Sequence, residues 1–329
     1  MKWFISILLF QCSLSASAND NVIREWSFGI NTEDGAPCSY DPDSNRLLLS
    51  GFDVSDDGLI YLAGGTPLRL ACFDGAKVVF NKNINEINSS SVFLKVRGDS
   101  VYLWNNELAS LVRVHKSGAG PVDRVPLLMR ENQSTTRTLF APTDCYLGDS
   151  AIVLLKKRNT IIVNDSYIFP GSDIIHIGYD GRFIKWKWFG DNESIVGNSI
   201  FNNDILYQYL YPTKNYDKND FSGHYKGEWN GYSIYWGSTY SLNKAAWTIV
   251  FAGRDGVKSY DFPYQVTDIY DVIPMPVLTH QIDEEMIYTA PSYCILRGNY
   301  LYILGYRGEK RQVVVCRIDL QKIKIPLKL

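Results

Sequence analysis

Methionine and histidine are scarce in this chain, with four of each in 329 residues. The histidines His115, His176, His224 and His280 stand far apart. No His-x-His or His-Glu-x-x-His spacing occurs, so the short-spaced zinc motifs are excluded. No Gly-x-Ser-x-Gly is present to place a serine nucleophile on a strand-to-helix turn. Glycine-rich loops of the phosphate-cradling kind are missing as well, as is any Cys-x-x-Cys pair. Charge of one sign is not in excess: 33 basic and 35 acidic residues give a net charge of −2, which argues against nucleic acid as a main partner. A membrane-spanning helix needs about 20 consecutive apolar residues, and no stretch is apolar over such a length.

The chain opens with a short apolar run instead. Lys2 provides a positive start, Phe4 to Phe10 an apolar stretch, and Ala16-Ser17-Ala18 a small-x-small cleavage pattern. These features predict a signal peptide over 1–18, cleavage after Ala18, and a secreted or periplasmic mature chain. Cys12 is preceded by Gln11, where a lipidated cysteine normally follows a small residue. Export permits disulfides, but the five later cysteines (Cys38, Cys72, Cys145, Cys294 and Cys316) are odd in number. Cys72 and Cys316 sit in apolar strand patterns, so buried free thiols are expected, with one disulfide left open.

Aromatic residues are abundant, with 22 tyrosines, 15 phenylalanines and eight tryptophans, and they favour strands. Phe52 to Phe80 carries short apolar runs split by Asp56-Asp57-Gly58, a Gly-Gly-Thr-Pro break and Asp74-Gly75. That pattern predicts a four-stranded antiparallel meander with tight turns. Looser copies follow over Val92 to Leu128, Asp144 to Phe189, Asn198 to Phe262 and Tyr293 to Ile325. Repeats of about 40 to 60 residues with four short strands each are the signature of a β-propeller. The expected fold is therefore all-β, a single β-propeller domain over 19–329. Six blades are expected, five or seven being open, with Ile23 to Phe28 closing the last blade. Gln281 to Met286 is the one segment that reads as a short helix.

Phe52-Asp53-Val54-Ser55-Asp56-Asp57-Gly58-Leu59-Ile60-Tyr61-Leu62, followed by Arg69-Leu70-Ala71-Cys72-Phe73-Asp74-Gly75, resembles a blade of the six-bladed propellers of the NHL and TolB-like kind. The resemblance implies a fold. Relatives include binding scaffolds, lactonases and lyases, so it does not assign an activity.

The fourth copy is stretched by an aromatic-rich insertion at about 212–240. In and just before it lie Tyr207, Tyr209, Tyr211, Tyr216, His224, Tyr225, Trp229, Tyr232, Tyr235 and Trp236. Such rings stack on sugars or peptide side chains. Tyr209, Tyr211, Tyr216, His224, Tyr225, Trp229, Tyr232 and Trp236 are therefore candidate ligand-binding residues, unless the segment adds strands and spends its rings on packing. Among the histidines, His224 is the functional candidate, whereas His115 and His176 read as structural. Asp53, Asp144 and Glu25 are candidates to line a central channel and hold calcium through oxygen ligands, as the resemblance to propeller lactonases implies. Asn88, Asn132, Asn164 and Asn192 each begin a glycosylation triplet. The leading expectation is a binding or scaffold module for an extracellular glycan or protein, with no cofactor unless calcium. The alternative is a lactonase-like or glycosidase-like hydrolase or lyase that uses channel carboxylates.

Overall fold

A computed structural model of the chain describes residues 22–30, 35–41, 46–87, 92–105, 110–126, 144–157, 161–163, 166–168, 172–189, 216–218, 221–241, 244–265, 273–274, 277–282, 285–289, 294–307 and 312–323. The signal segment, Tyr207, Tyr209, Tyr211 and the four glycosylation asparagines lie outside the described residues. Two compact units divide the chain. One holds Met1–Phe28, Asn215–Met275 and Tyr293–Leu329, and the other Gly29–Lys214 and Pro276–Ser292.

Strand β1 (Ile23–Gly29) begins the described chain. The first blade follows, with β2 (Ser39–Asp41), β3 (Arg46–Val54), β4 (Ile60–Gly64), β5 (Arg69–Asp74) and β6 (Lys77–Asn83). Its strands pair in chain order, all antiparallel. The second blade is β7 (Val92–Arg97), β8 (Ser100–Asn105), β9 (Ser110–His115) and β10 (Asp123–Val125). In the third, β11 (Asp144–Leu147) and β12 (Ile152–Lys157) are followed by a separate ribbon of β13 (Ile161–Val163) and β14 (Ser166–Ile168). The sheet then resumes with β15 (Ser172–Ile177) and β16 (Phe183–Phe189), in the order β11-β12-β15-β16.

The fourth blade, in the other unit, is β17 (Tyr216–Lys218), β18 (Phe221–Trp229), β19 (Tyr232–Ser241), β20 (Lys244–Gly253) and β21 (Gly256–Gln265). After it come β22 (Ile273–Pro274) and a ribbon of β23 (Val277–Ile282) and β24 (Glu285–Thr289). The fifth blade is completed by β25 (Cys294–Arg297), β26 (Tyr300–Arg307) and β27 (Gln312–Asp319). β22 and β25 pair successive parts of β26, and β1 lies beside β27. The amide of Asp319 donates to the carbonyl of Val22 at 2.8 Å.

Strand periodicity explains why blades must stack. In β8, Val101 and Leu103 join a core shared with Tyr61, Ala63, Leu70 and Cys72 of the first blade. The alternate residues Tyr102 and Trp104 join a second core with Ile152, Leu154, Ile175 and Ile177 of the third. Successive side chains point to opposite faces, so one strand serves two interfaces. All of β4 is buried for the same reason. Each large side chain so enclosed contributes roughly 1.5–3 kcal/mol. Face-to-face stacking of antiparallel meanders is β-propeller architecture, and no blade could cover both its faces alone.

Three expectations need correction. Five blades are present among the described residues, not six. Among the described residues the N-terminal strand and the C-terminal strands share one blade. The last copy, expected to run in strands to Ile325, adds no strand over Leu320 to Ile323, and β1 takes the edge beside β27. Leu320–Lys322 is a 3-10 turn capped by the Asp319 carboxylate, which accepts from the Gln321 amide at 3.1 Å. Gln281 to Met286 is not helical either: it spans the β23–β24 hairpin, where Gln281 pairs with Met286. Cys38, Cys72, Cys294 and Cys316 are buried and stand outside disulfides. Burial pushes the thiols of Cys38 and Cys294 up to about 12 and that of Cys72 to about 11.

Candidate functional site

The described part of the aromatic stretch forms β17, β18 and most of β19 within the sheet of the fourth blade. Strands β18 and β19 form a hairpin whose tip is Trp229-Asn230-Gly231-Tyr232, with Trp229 paired to Tyr232. Asn230 and Gly231 have φ of 46° and 80°. Positive φ at both central residues gives a two-residue turn whose twist matches the strands. Asn-Gly is the pair that tolerates it, and only glycine does so without a Cβ clash.

Alternation along the hairpin divides the rings between two faces. Ile234 and Trp236 are fully buried with Ile249 and Phe251 on one face. Trp236 stacks on Trp247 at 5.5 Å with 7° between the planes. Trp229 and Tyr232 meet Phe251 edge-on at 6.0 and 6.3 Å. The indole N–H of Trp229 donates to Asn299 Oδ1 of the fifth blade at 3.0 Å. On the other face Tyr235 and Val250 are buried, with Tyr225 and Ala252 packed on them. Tyr225 and Tyr235 meet edge-on at 5.8 Å. Such aromatic pairs add about 0.5–1.5 kcal/mol each beyond burial.

The polar ends of these rings form two small networks at the surface. Tyr225 OH and Ser233 Oγ both donate to Glu228 Oε1 at 2.9 Å. Tyr232 OH donates to Asp255 Oδ2 at 2.7 Å, and Lys258 Nζ donates to both, at 2.9 and 2.6 Å. The Lys258 ammonium also lies 5.1 Å from the Tyr232 ring centre. Hydrogen bonds from Lys258 and then Tyr232 hold the Asp255 carboxyl below its ordinary value, and the same bonds raise Lys258. Each network fixes a tyrosine, a carboxylate and a further donor on a rigid sheet, an arrangement suited to a polar ligand that needs both donors and acceptors.

Of the predicted site residues, the blade thus brings together Tyr225, Trp229, Tyr232 and Trp236. Tyr216 and His224 lie on β17 and β18, with Tyr216 paired to Gly223 and His224 to Trp236. Glu228, Ser233, Asp255 and Lys258 were not singled out from sequence. Glu228 follows Tyr225 by three residues on β18 and faces Ser233 across the hairpin, while Asp255 and Lys258 come to Tyr232 from the β20–β21 turn and β21, a link that has meaning only once the register is known.

Asp53 has a different part. It is almost wholly buried. Its Oδ1 accepts the Val54 amide at 2.8 Å, and its Oδ2 accepts the Val96 amide of β7 at 2.7 Å. β7 is the edge strand of the second blade, so its outward N–H groups need partners. The carboxylate therefore ties one blade to the next. Glu25 Oε1 accepts from Ser27 Oγ at 3.4 Å, and Asp144 begins β11. Among the described residues no group of three His, Cys, Asp or Glu side chains is placed to hold a metal ion, and no helix is long and apolar enough to cross a membrane.

Fold and site together define the class: an all-β propeller of antiparallel blades with an aromatic and polar surface on one long hairpin. No protein-family model matches the chain, and no curated protein matches it. Among solved structures it is similar to a catalytically inactive virginiamycin B lyase from Staphylococcus aureus, at 12% identity over 90% of this chain and 99% of that one, with a TM-score of 0.35. A streptogramin B lyase matches at 11% over 90% and 98%, with a TM-score of 0.37. Hsv2 from Kluyvelomyces marxianus matches at 11% over 79% and 72%, with a TM-score of 0.27. Likeness at this level carries no functional argument, and the propeller assignment rests on the chain's own blades and their stacking.

Proposed function

We propose that the protein is an exported β-propeller that binds an extracellular glycan or protein through the surface of its fourth blade. The observation that carries this reading is the pair of tyrosine–carboxylate networks, Tyr225–Glu228–Ser233 and Tyr232–Asp255–Lys258. Their aromatic bodies are anchored in packing, and their hydroxyl, carboxylate and ammonium ends stand at the surface. A ligand meeting either network loses little to ordering of the protein. Export is read from Lys2, the Phe4 to Phe10 run and Ala16-Ser17-Ala18. For a lactonase-like or glycosidase-like reaction, Asp53 is poorly available, since both its oxygens already accept main-chain N–H groups.

The test is a glycan and peptide array probed with the mature chain and with a Tyr225→Ala/Glu228→Ala double variant. Binding that drops at least tenfold in the variant, with the melting temperature held, supports the reading. Binding unchanged by the variant, or no binding across both arrays, overturns it.

A further inference from the structure

We infer that an open cleft on the second blade is a binding site for a neutral, hydroxyl-rich ligand the size of a single sugar residue. It uses none of the fourth-blade residues and stands or falls apart from them. The cleft encloses about 420 Å³ and is lined by Ser100, Arg113, His115, Ala119, Gly120, Pro121 and Asp123. A pyranose ring occupies a fraction of the several hundred Å³ typical of small-molecule sites, so this volume suits one sugar and its water.

The wall of the cleft is built, not loose. The Lys116 amide donates to the Asp99 carbonyl, and the Gly118 amide to the His115 carbonyl, each at 2.8 Å. Tyr61 OH reaches across from the first blade to the Lys116 carbonyl at 3.0 Å. Lys82 Nζ donates to the carbonyls of Gly118 at 3.1 Å and Gly120 at 2.6 Å. Gly118 lies directly on the Phe80 ring, where an added Cβ would come within 2.5 Å of Cγ. Two strands of the neighbouring blade therefore clamp a turn that sequence alone presents as a bare Lys-Ser-Gly-Ala-Gly loop.

Its polar groups are set for hydroxyls. The Ser117 amide donates to His115 Nδ1 at 3.3 Å, and Ser117 Oγ lies 2.7 Å from the same nitrogen. The Ala119 amide donates in turn to Ser117 Oγ at 3.4 Å. With Nδ1 accepting, the neutral imidazole carries its proton on Nε2, which is then the ring's remaining donor. Arg113 Nη2 donates to Asp123 Oδ2 at 2.9 Å, and both side chains are about half exposed, at 48% and 47%. This pair cancels its own charge, so an anion gains little here over water. It also sets a guanidinium beside a carboxylate, and two adjacent hydroxyls, each donor and acceptor, can bridge the two. Ala119 and Pro121 supply an apolar wall for the C–H face of a ring.

The test is saturation-transfer NMR and titration calorimetry on the mature chain with methyl glycosides of glucose, galactose, mannose and N-acetylglucosamine. Glucuronate and inorganic phosphate serve as charged probes. At least one glycoside should bind, shift the amides of Ala119 and Gly120, and weaken at least tenfold in Arg113→Gln and in His115→Ala. Lys77→Ala, on the first blade, should leave that affinity unchanged. Because both replaced residues are exposed, their folds should survive; if either does not, the amide shifts of the unaltered chain decide. No glycoside binding, binding that both variants retain, shifts confined to other blades, or a preference for glucuronate or phosphate would each overturn the inference.

Discussion

The first and fourth blades both run through five antiparallel strands, but they are held together by different side chains. Strands β4 to β6 of the first have five to seven residues each, and the blade is packed by aliphatic residues with Tyr61 and Phe73. β18 to β21 of the fourth have nine or ten residues each, and Trp236, Trp247, Trp229, Tyr232 and Phe251 interlock in their place. Aliphatic runs between aspartate-glycine turns announce a strand. Widely spaced rings among serine, glycine and asparagine read as a loop. The second pattern gives as good a core once strands are long enough for rings on neighbouring strands to meet.

Substitution can break this equivalence. The largest effects are expected from Trp236→Ala and Phe73→Ala, each costing about 3–5 kcal/mol by transfer and cavity terms. Urea unfolding of both variants measures them. A loss below about 1 kcal/mol for Trp236→Ala alone would mean that the fourth blade's rings do not form its core. Asp53→Ala should cost about 2–3 kcal/mol, since it strands the buried Val96 amide at the joint between first and second blades. Asp53→Asn should recover part of that, because its amide oxygen still accepts.

A smaller effect sharpens the comparison at the turns. Gly231→Val forces a β-branched residue to φ of 80° and should cost about 1–2 kcal/mol, seen as a lowered urea midpoint. The smallest effect is a pH dependence in the third blade. Burial, and then the Lys185 charge, lower the pKa of His176 below its ordinary 6.5. The unfolded chain therefore takes up a proton as pH falls through 6.5 while the folded chain resists. Stability contributed by neutral His176 is complete above 6.5 and is lost as pH drops towards the folded value. The urea midpoint between pH 7 and 5 should fall less in His176→Gln than in the unaltered protein. Parallel curves would show that His176 titrates alike in both states.

The repeat of meanders was legible because it depends on local chemistry. Asp56-Asp57-Gly58, Asp74-Gly75 and Asp180-Gly181 mark turns that the fold contains, and the aliphatic runs beside them are strands. The blade count was not legible: six were expected with Ile23 to Phe28 closing the last, and five are present among the described residues, because the sequence does not say whether that strand joins the fifth copy or a further one almost 300 residues along the chain. The site was half legible. Tyr225 and Tyr232 were found by composition. Glu228 meets Tyr225 within β18, three residues on, where the register shifts between Tyr225 and Gly227, and Asp255 and Lys258 join Tyr232 only through the pairing of more distant strands. His115 read as structural, yet it is exposed and held by Ser117 in a cleft whose wall is clamped by Tyr61 and Lys82.

By itself the sequence determined an all-β chain of short antiparallel repeats, turned by aspartate and glycine and too apolar on both faces for any repeat to stand alone. Those are consequences of backbone geometry and a two-residue period, which act between near neighbours. Tertiary structure alone decided that the N-terminal strand joins the fifth copy. It made Asp53 a bracket between blades, and it buried Trp236 while leaving the Tyr225 hydroxyl at the surface. Each of these depends on which strand edge or face another blade covers, and that is fixed by the competition of distant segments for the same hydrogen bonds and the same buried area.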